Sequence, residues 1–307
     1  MKIVLRIGLV LLKGALAAVA ALVGLLVGGI ITHLLGLPTP KIPSQVDMNL
    51  LMPRMFLTLV LISIVLGECF QRIFSGYWHR FLSILLCNYL LYYLLNTLDG
   101  FLFSPVPHLS TGIVANIFPA LSMAALSALL WREKNIVSPD ADRVRAYIAA
   151  RRPIDWVWRL ALAWLVYPPI YYVIGLAVSP LVKHYYEDPS LNLGLTLPPS
   201  VEILLAMQVL RGVLFLAAVL PIIVVWRGSQ RGLLFWLISI IFVQIAGQVI
   251  LQAYWLPMGL RIPHMGELIV DSSLQASIYV LLLGLQSKLN RDGKNKSTNS
   301  ARDAMPV

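Results

Sequence analysis

Charge is scarce in this chain. Asp, Glu, Lys and Arg make up 12% of its 307 residues, about half the share usual in soluble domains, and they fall between long apolar runs rather than through them. A soluble globular fold is excluded. Cysteine is nearly missing too: Cys69 and Cys87 are the only two, and both lie within apolar runs close to the same membrane face, which argues against a secreted disulfide framework. Catalytic signatures are absent. The chain has no HExxH zinc helix, no paired glutamates of the CAAX-type intramembrane proteases, no G-x-S nucleophile turn and no P-loop. Asp140-Ala-Asp142 lacks the longer Asp-rich spacing of membrane prenyltransferases and reads as the acidic first turn of a helix. Nothing calls for a cofactor.

What is present is hydrophobicity: 59% of residues are apolar or aromatic. A bilayer core needs roughly 20 apolar residues per helix. On that measure the sequence holds eight spans, near 14–36, 51–71, 81–103, 112–131, 156–180, 200–226, 233–256 and 266–287. The fold class is all-α and polytopic. The first run, preceded by Lys2, Arg6 and Lys13, is too long for a cleaved signal and reads as a retained helix. Most of the 24 Lys and Arg then fall in alternate segments; the other loops hold only Lys41, Arg54, Lys183 and Arg261. The positive-inside rule places both termini in the cytoplasm of a cell-membrane protein. That asymmetry accounts for the net charge of +10, so no nucleic-acid partner is implied. The expected partners are the bilayer and, for a basic helix over Arg143 to Arg152 stopped by Pro153, anionic headgroups at the cytoplasmic face.

The apolar spans carry a pattern. Gln244, Gln248 and Gln252 recur every fourth residue, one face of a helix, and Asn88, Tyr92 and Asn96 repeat the arrangement 156 positions earlier. Pro107-His108 and a short turn containing Pro263-His264 follow, each leading into a further span, and Gly24, Val27 and His33 match Gly175, Val178 and His184 at an offset of 151. The chain therefore reads as two tandem four-helix repeats: 1–134 and 156–287, joined by a basic linker helix at 135–155 and followed by a disordered tail at 288–307. Copies of an even number of spans enter from the same side, related by an axis along the membrane normal.

Candidate sites follow. Asn88, Tyr92, Asn96, Gln244, Gln248 and Gln252 line a polar path or act as packing glue. Arg211, the one charge near mid-bilayer, is expected to pair with Glu68 or to bind substrate. Asp99, His108, His264, Glu267 and Asp271 gather at the outer face, where such groups can relay protons; no metal is assigned. Tyr167-Pro168-Pro169 kinks or breaks the fifth span. The function expected is transport of a small polar or anionic solute. The alternatives are a non-catalytic subunit packed against partner proteins or lipid, and an enzyme acting on a lipid-linked substrate at the outer face.

Overall fold

The computed structural model describes residues 2–39, 45–73, 76–103, 109–132, 140–191, 193–197 and 200–285. Among these residues the chain is helical throughout, and eight helices are long and apolar enough to cross a membrane. The first two spans are α1 (Lys2–Leu34) and α2 (Met48–Phe70). The third joins α3 (Tyr77–Asn88) to α4 (Leu95–Phe103) through a π-helical stretch at Tyr89–Leu94, and the fourth is α5 (Leu109–Leu130). A short helix, α6 (Asp140–Ala149), precedes the fifth span, made of α7 (Pro153–Leu165) and α8 (Tyr167–Glu187). The sixth is α9 (Val201–Val225). The seventh, α10 (Gln230–Gly247), ends in a second π-helical stretch at Gln248–Gln252, and the eighth is α11 (Met258–Leu283).

Hydrocarbon offers no hydrogen bonds, so each span must satisfy its own backbone and close its ends. Polar caps mark those ends: Asp47 Oδ1 accepts from the Asn49 N–H at 2.8 Å, Ser200 Oγ from Ile203 at 3.3 Å, and Ser229 Oγ from Gly232 at 3.1 Å. Large apolar side chains point outward along the whole bundle. Leu26, Val173, Leu176 and Leu281 are exposed, as lipid-facing positions are. The apolar core lies between α2, α3, α9 and α10, where Leu59, Ile62, Leu66, Phe215, Ile222, Leu237 and Ile240 are buried.

Helices attract little through apolar contact when lipid is equally apolar, so close approach depends on small residues. Along α1 the residues Ala17, Ala21, Gly24 and Gly28 form such a stripe. A Cβ on Gly24 would stand 2.6 Å from the Phe118 carbonyl oxygen, and one on Gly28 would collide with the Ala115 carbonyl of α5. The α5 backbone lies directly in that groove.

One end of the bundle carries α6, and this end is called the α6 face below. Asp140 accepts from His79 Nδ1 and from an Arg227 Nη2, each at 2.9 Å. Tyr147 donates from its hydroxyl to the Leu283 carbonyl at 2.8 Å, and Arg151 caps the Leu282 carbonyl at 2.7 Å. Burial pushes the Tyr147 phenol up from its ordinary range, which keeps it a donor. The basic helix is thus tied to the ends of the third, sixth and eighth spans. Its residues 138 and 139, expected to start it, lie outside the described residues.

Two boundaries differ from expectation. The first helix starts at Lys2, because the stretch before the apolar run, although more polar, has no helix breaker. Pro263-His264 is not a turn but part of α11. A proline six residues into a helix forfeits only one hydrogen bond, and Arg261 secures that first turn by donating to the Val249 and Ile250 carbonyls of the neighbouring π-helical stretch.

The Gly28 contact gives a direct test. Gly28→Ala should cost about 1 to 3 kcal/mol, the usual penalty for overpacking, seen as a lower melting temperature of the detergent-purified chain. Gly29, whose Cβ would meet nothing, should tolerate alanine unchanged.

Candidate functional site

The eighth span places polar groups on one buried face: His264, Glu267, Asp271, Gln275 and Tyr279 follow at steps of three and four. Glu267, Asp271, Gln275 and Tyr279 are all buried. Asp271 is about 20 Å of helix rise from Met258 and about 18 Å from Leu283, so it lies midway through the bilayer. A chain of contacts reaches the stripe from the end opposite α6. The Tyr186 hydroxyl and His264 Nε2 share a hydrogen bond of 3.0 Å, and His264 Nδ1 lies 2.7 Å from Glu267 Oε2.

Arg211 comes to the same place from α9. It sits about 15 Å from one end of its helix and about 21 Å from the other, and it is buried. A charge at that depth needs an opposite charge. Its guanidinium pairs with Asp99 of α4 and donates to Gln208 Oε1 at 3.2 Å. It lies 5.9 Å from the Tyr171 ring centroid and within Coulombic reach of Glu267 and Asp271. Asp99 is only four residues from the end of its helix and its side chain is 35% exposed, so the pair reaches toward the face opposite α6.

The fifth span completes the wall. Val166 between α7 and α8 keeps a right-handed helical backbone (φ −71°, ψ −26°), so Pro168 and Pro169 kink the span rather than break it. The kink turns Tyr167 and Tyr171 toward Asp271 and Glu267. Gly175 stands one turn beyond; a Cβ there would lie 3.9 Å from Glu267 Oε1. Close approach of the fifth and sixth spans depends on Gly212, beside Arg211, whose Cβ would strike the Trp164 carbonyl.

The charge centre therefore holds Arg211, three carboxylates and four tyrosines from the third, fifth, sixth and eighth spans. The expected Glu68–Arg211 pair does not form. Glu68 pairs instead with Arg72 at 3.3 Å, one turn along its own helix end, where the partner is half exposed and the desolvation cost is small; it lies about 3 Å of helix rise from the α6-side end of α2, whereas Arg211 lies about 21 Å from that end of α9. His108 lies outside the described residues.

The amide-bearing spans meet elsewhere. Gln252 Nε2 donates to the Tyr92 hydroxyl at 2.6 Å, and Gln244 Nε2 lies 3.3 Å from both the carbonyl and the sulfur of Cys87. Asn88 donates to Met123 Sδ at 3.4 Å. Asn96 and Gln248 are only half-buried. The ladders are interrupted because each span turns π-helical where they run, and an i→i+5 turn takes residues four apart off one line. Cys69 and Cys87 are free thiols.

Tyr171, Tyr186, Gln208, Gln275 and Tyr279 were not singled out from the sequence, and Tyr167 only as part of the Pro168-Pro169 kink. The spacing of Gln275 and Tyr279 beyond Asp271 was a readable signal, hidden by treating the Pro263 region as a turn. The chain matches no protein-family model, no curated protein and no solved structure, so the reading of this site rests on its geometry.

Removing one partner of a buried ion pair leaves the other uncompensated. Arg211→Met should destabilise the chain by about 3 to 5 kcal/mol. Asp99→Asn should cost less, since Asp99 is partly solvated. In a thermal double-mutant cycle the pair should cost less than the two singles added; strict additivity would show that the contact carries no coupling.

Proposed function

We propose that the chain is a membrane transporter that passes a small polar solute through the centre around Arg211. The observation that carries this reading is the position of the Asp99–Arg211 pair: a buried arginine midway along its span, held by an aspartate part-exposed toward one face, joining the first four spans to the last four. Hydrocarbon makes such charges expensive, and they occur where they serve a solute or ion pathway. Carboxylates outnumber the guanidinium here, which narrows the expected solute to a neutral polar or cationic one.

The two halves are copies of one four-span unit in this reading. Several features support it. The second span packs on the seventh and the third on the sixth, the first on the fourth and the fifth on the eighth, which are the pairings that a twofold axis between the halves generates. Each half turns π-helical in its third span, and these two stretches touch through Tyr92 and Gln252. With the α6 face cytoplasmic, as the Lys and Arg asymmetry requires, the site opens outward and α6 lies in the inner headgroup region beside anionic lipid. Rocking one half against the other would part Asp99 from Arg211 and turn the site inward.

A second reading has one observation in its favour. His264, held between Tyr186 and Glu267, has the arrangement of an oriented general base, which an enzyme acting on a lipid-linked substrate at the outer face would use. Access separates the two. Gly175→Cys places a thiol beside Glu267, and the native cysteines are buried. A membrane-impermeant methanethiosulfonate should label it in proteoliposomes from either side if the site alternates. Labelling from one side only contradicts transport and favours the enzyme; protection from both sides favours a structural subunit.

A further inference from the structure

We infer that the stripe on α11 binds a proton, shared between Glu267 and Asp271 and exchanged with the outer face through His264 and Tyr186, and that this proton is the coupling ion of the transport proposed above, on which that coupling role rests. Glu267 and Asp271 are one helical turn apart on the same buried face. Two carboxylates so placed do not both ionise without a counter-charge. The groups facing them are known on every side. From α8 come Tyr167, Tyr171, Tyr172 and Tyr186, neutral phenols; from α9 Arg211 and Gln208; from α4 Asp99; α10 holds no titratable group except Arg231 at its far end, and Arg159 of α7 is engaged with the Leu282 carbonyl. Among the described residues Arg211 is therefore the one cation within reach, and Asp99 already holds it. Its single charge does not balance three carboxylates.

The hydrogen-bond pattern points the same way. Asp271 Oδ1 is buried and receives no hydrogen bond from any described residue, which suits a carboxylic acid better than a carboxylate. Among the described residues no three His, Cys, Asp or Glu side chains converge on a metal position. The route is continuous at its outer part. A proton taken up at one nitrogen of His264 allows the proton on the other to pass to Glu267, one entering as one leaves. Tyr186 fixes Nε2 at the mouth, and Glu267 hands the proton one turn inward to Asp271. Beyond Asp271 the stripe continues as Gln275, which donates to the Tyr279 hydroxyl at 2.9 Å. An amide there holds a place but does not carry a proton readily, so inward release waits on the rearrangement of the halves.

Infrared difference spectroscopy on the full chain in lipid films tests this without any solute. Between about pH 5 and 8, the wild type should show one protonated carboxyl band that disappears as pH rises and shifts in deuterium oxide. Asp271→Asn should remove or shift the band, and Glu267→Gln should alter its midpoint, both being near-isosteric and checked for native helicity by circular dichroism. His264→Gln should keep the band but slow its response to a pH jump by roughly a hundredfold. No protonated carboxyl at any pH, or a band unmoved by both carboxyl variants, would overturn the assignment. One-sided labelling of Gly175→Cys with the band intact would instead remove the coupling role while leaving the proton site in place.

Discussion

A guanidinium at mid-bilayer depth sets the terms for everything packed around it. Arg211 cannot reach water along its own helix, so it pairs with Asp99 near the opposite end of α4, and that contact draws the third span of the first half against the sixth span of the second. The small residues follow from this requirement. Gly212 lets the fifth span come in against Arg211, and the Pro168-Pro169 kink then brings Tyr167 and Tyr171 to the carboxylates. Uncompensated charge in hydrocarbon would expel the arginine; here four helices share the work of keeping it.

The rest of the interface between the halves is largely the apolar core of α2, α3, α9 and α10, crossed by a few uncharged polar contacts. Amide to phenol, amide to thiol and Thr58 to the Gly247 carbonyl are contacts of modest strength, averaging about 0.6 kcal/mol where such bonds have been measured in membranes. Their weakness suits an interface that slides. The π-helical stretches add to this, since their irregular carbonyls are held by side chains such as Arg261 rather than by the helix itself, and such stretches recur at functional sites.

Much of the architecture was legible in the sequence because the bilayer imposes it. Eight apolar runs and the acidic first turn of α6 followed from length and residue type alone. The site was legible only in part. Arg211, Asp99, Glu267 and Asp271 stood out as charges in or beside apolar runs, yet Arg211 was assigned to Glu68, although the two stand about 15 Å and about 30 Å from the same side of the bundle; which spans neighbour one another is not written in residue type. The amide stripes were read as straight α-helical ladders; the change to i→i+5 at Tyr89 and Gln248 has no composition signal. The tyrosines of the fifth and eighth spans were invisible as site residues for a different reason, because an aromatic in a span is ordinarily a packing or interface residue.

The central claim is that Asp99–Arg211 is a breakable link between two moving halves. Spin labels at Phe101 and Val201, both exposed near the ends of α4 and α9 opposite the α6 face, report that motion as a distance distribution by double electron-electron resonance. The account predicts two separations in the unmodified background, with the shorter one lost when Arg211 is replaced by methionine. A single separation, identical with and without the arginine, would contradict it.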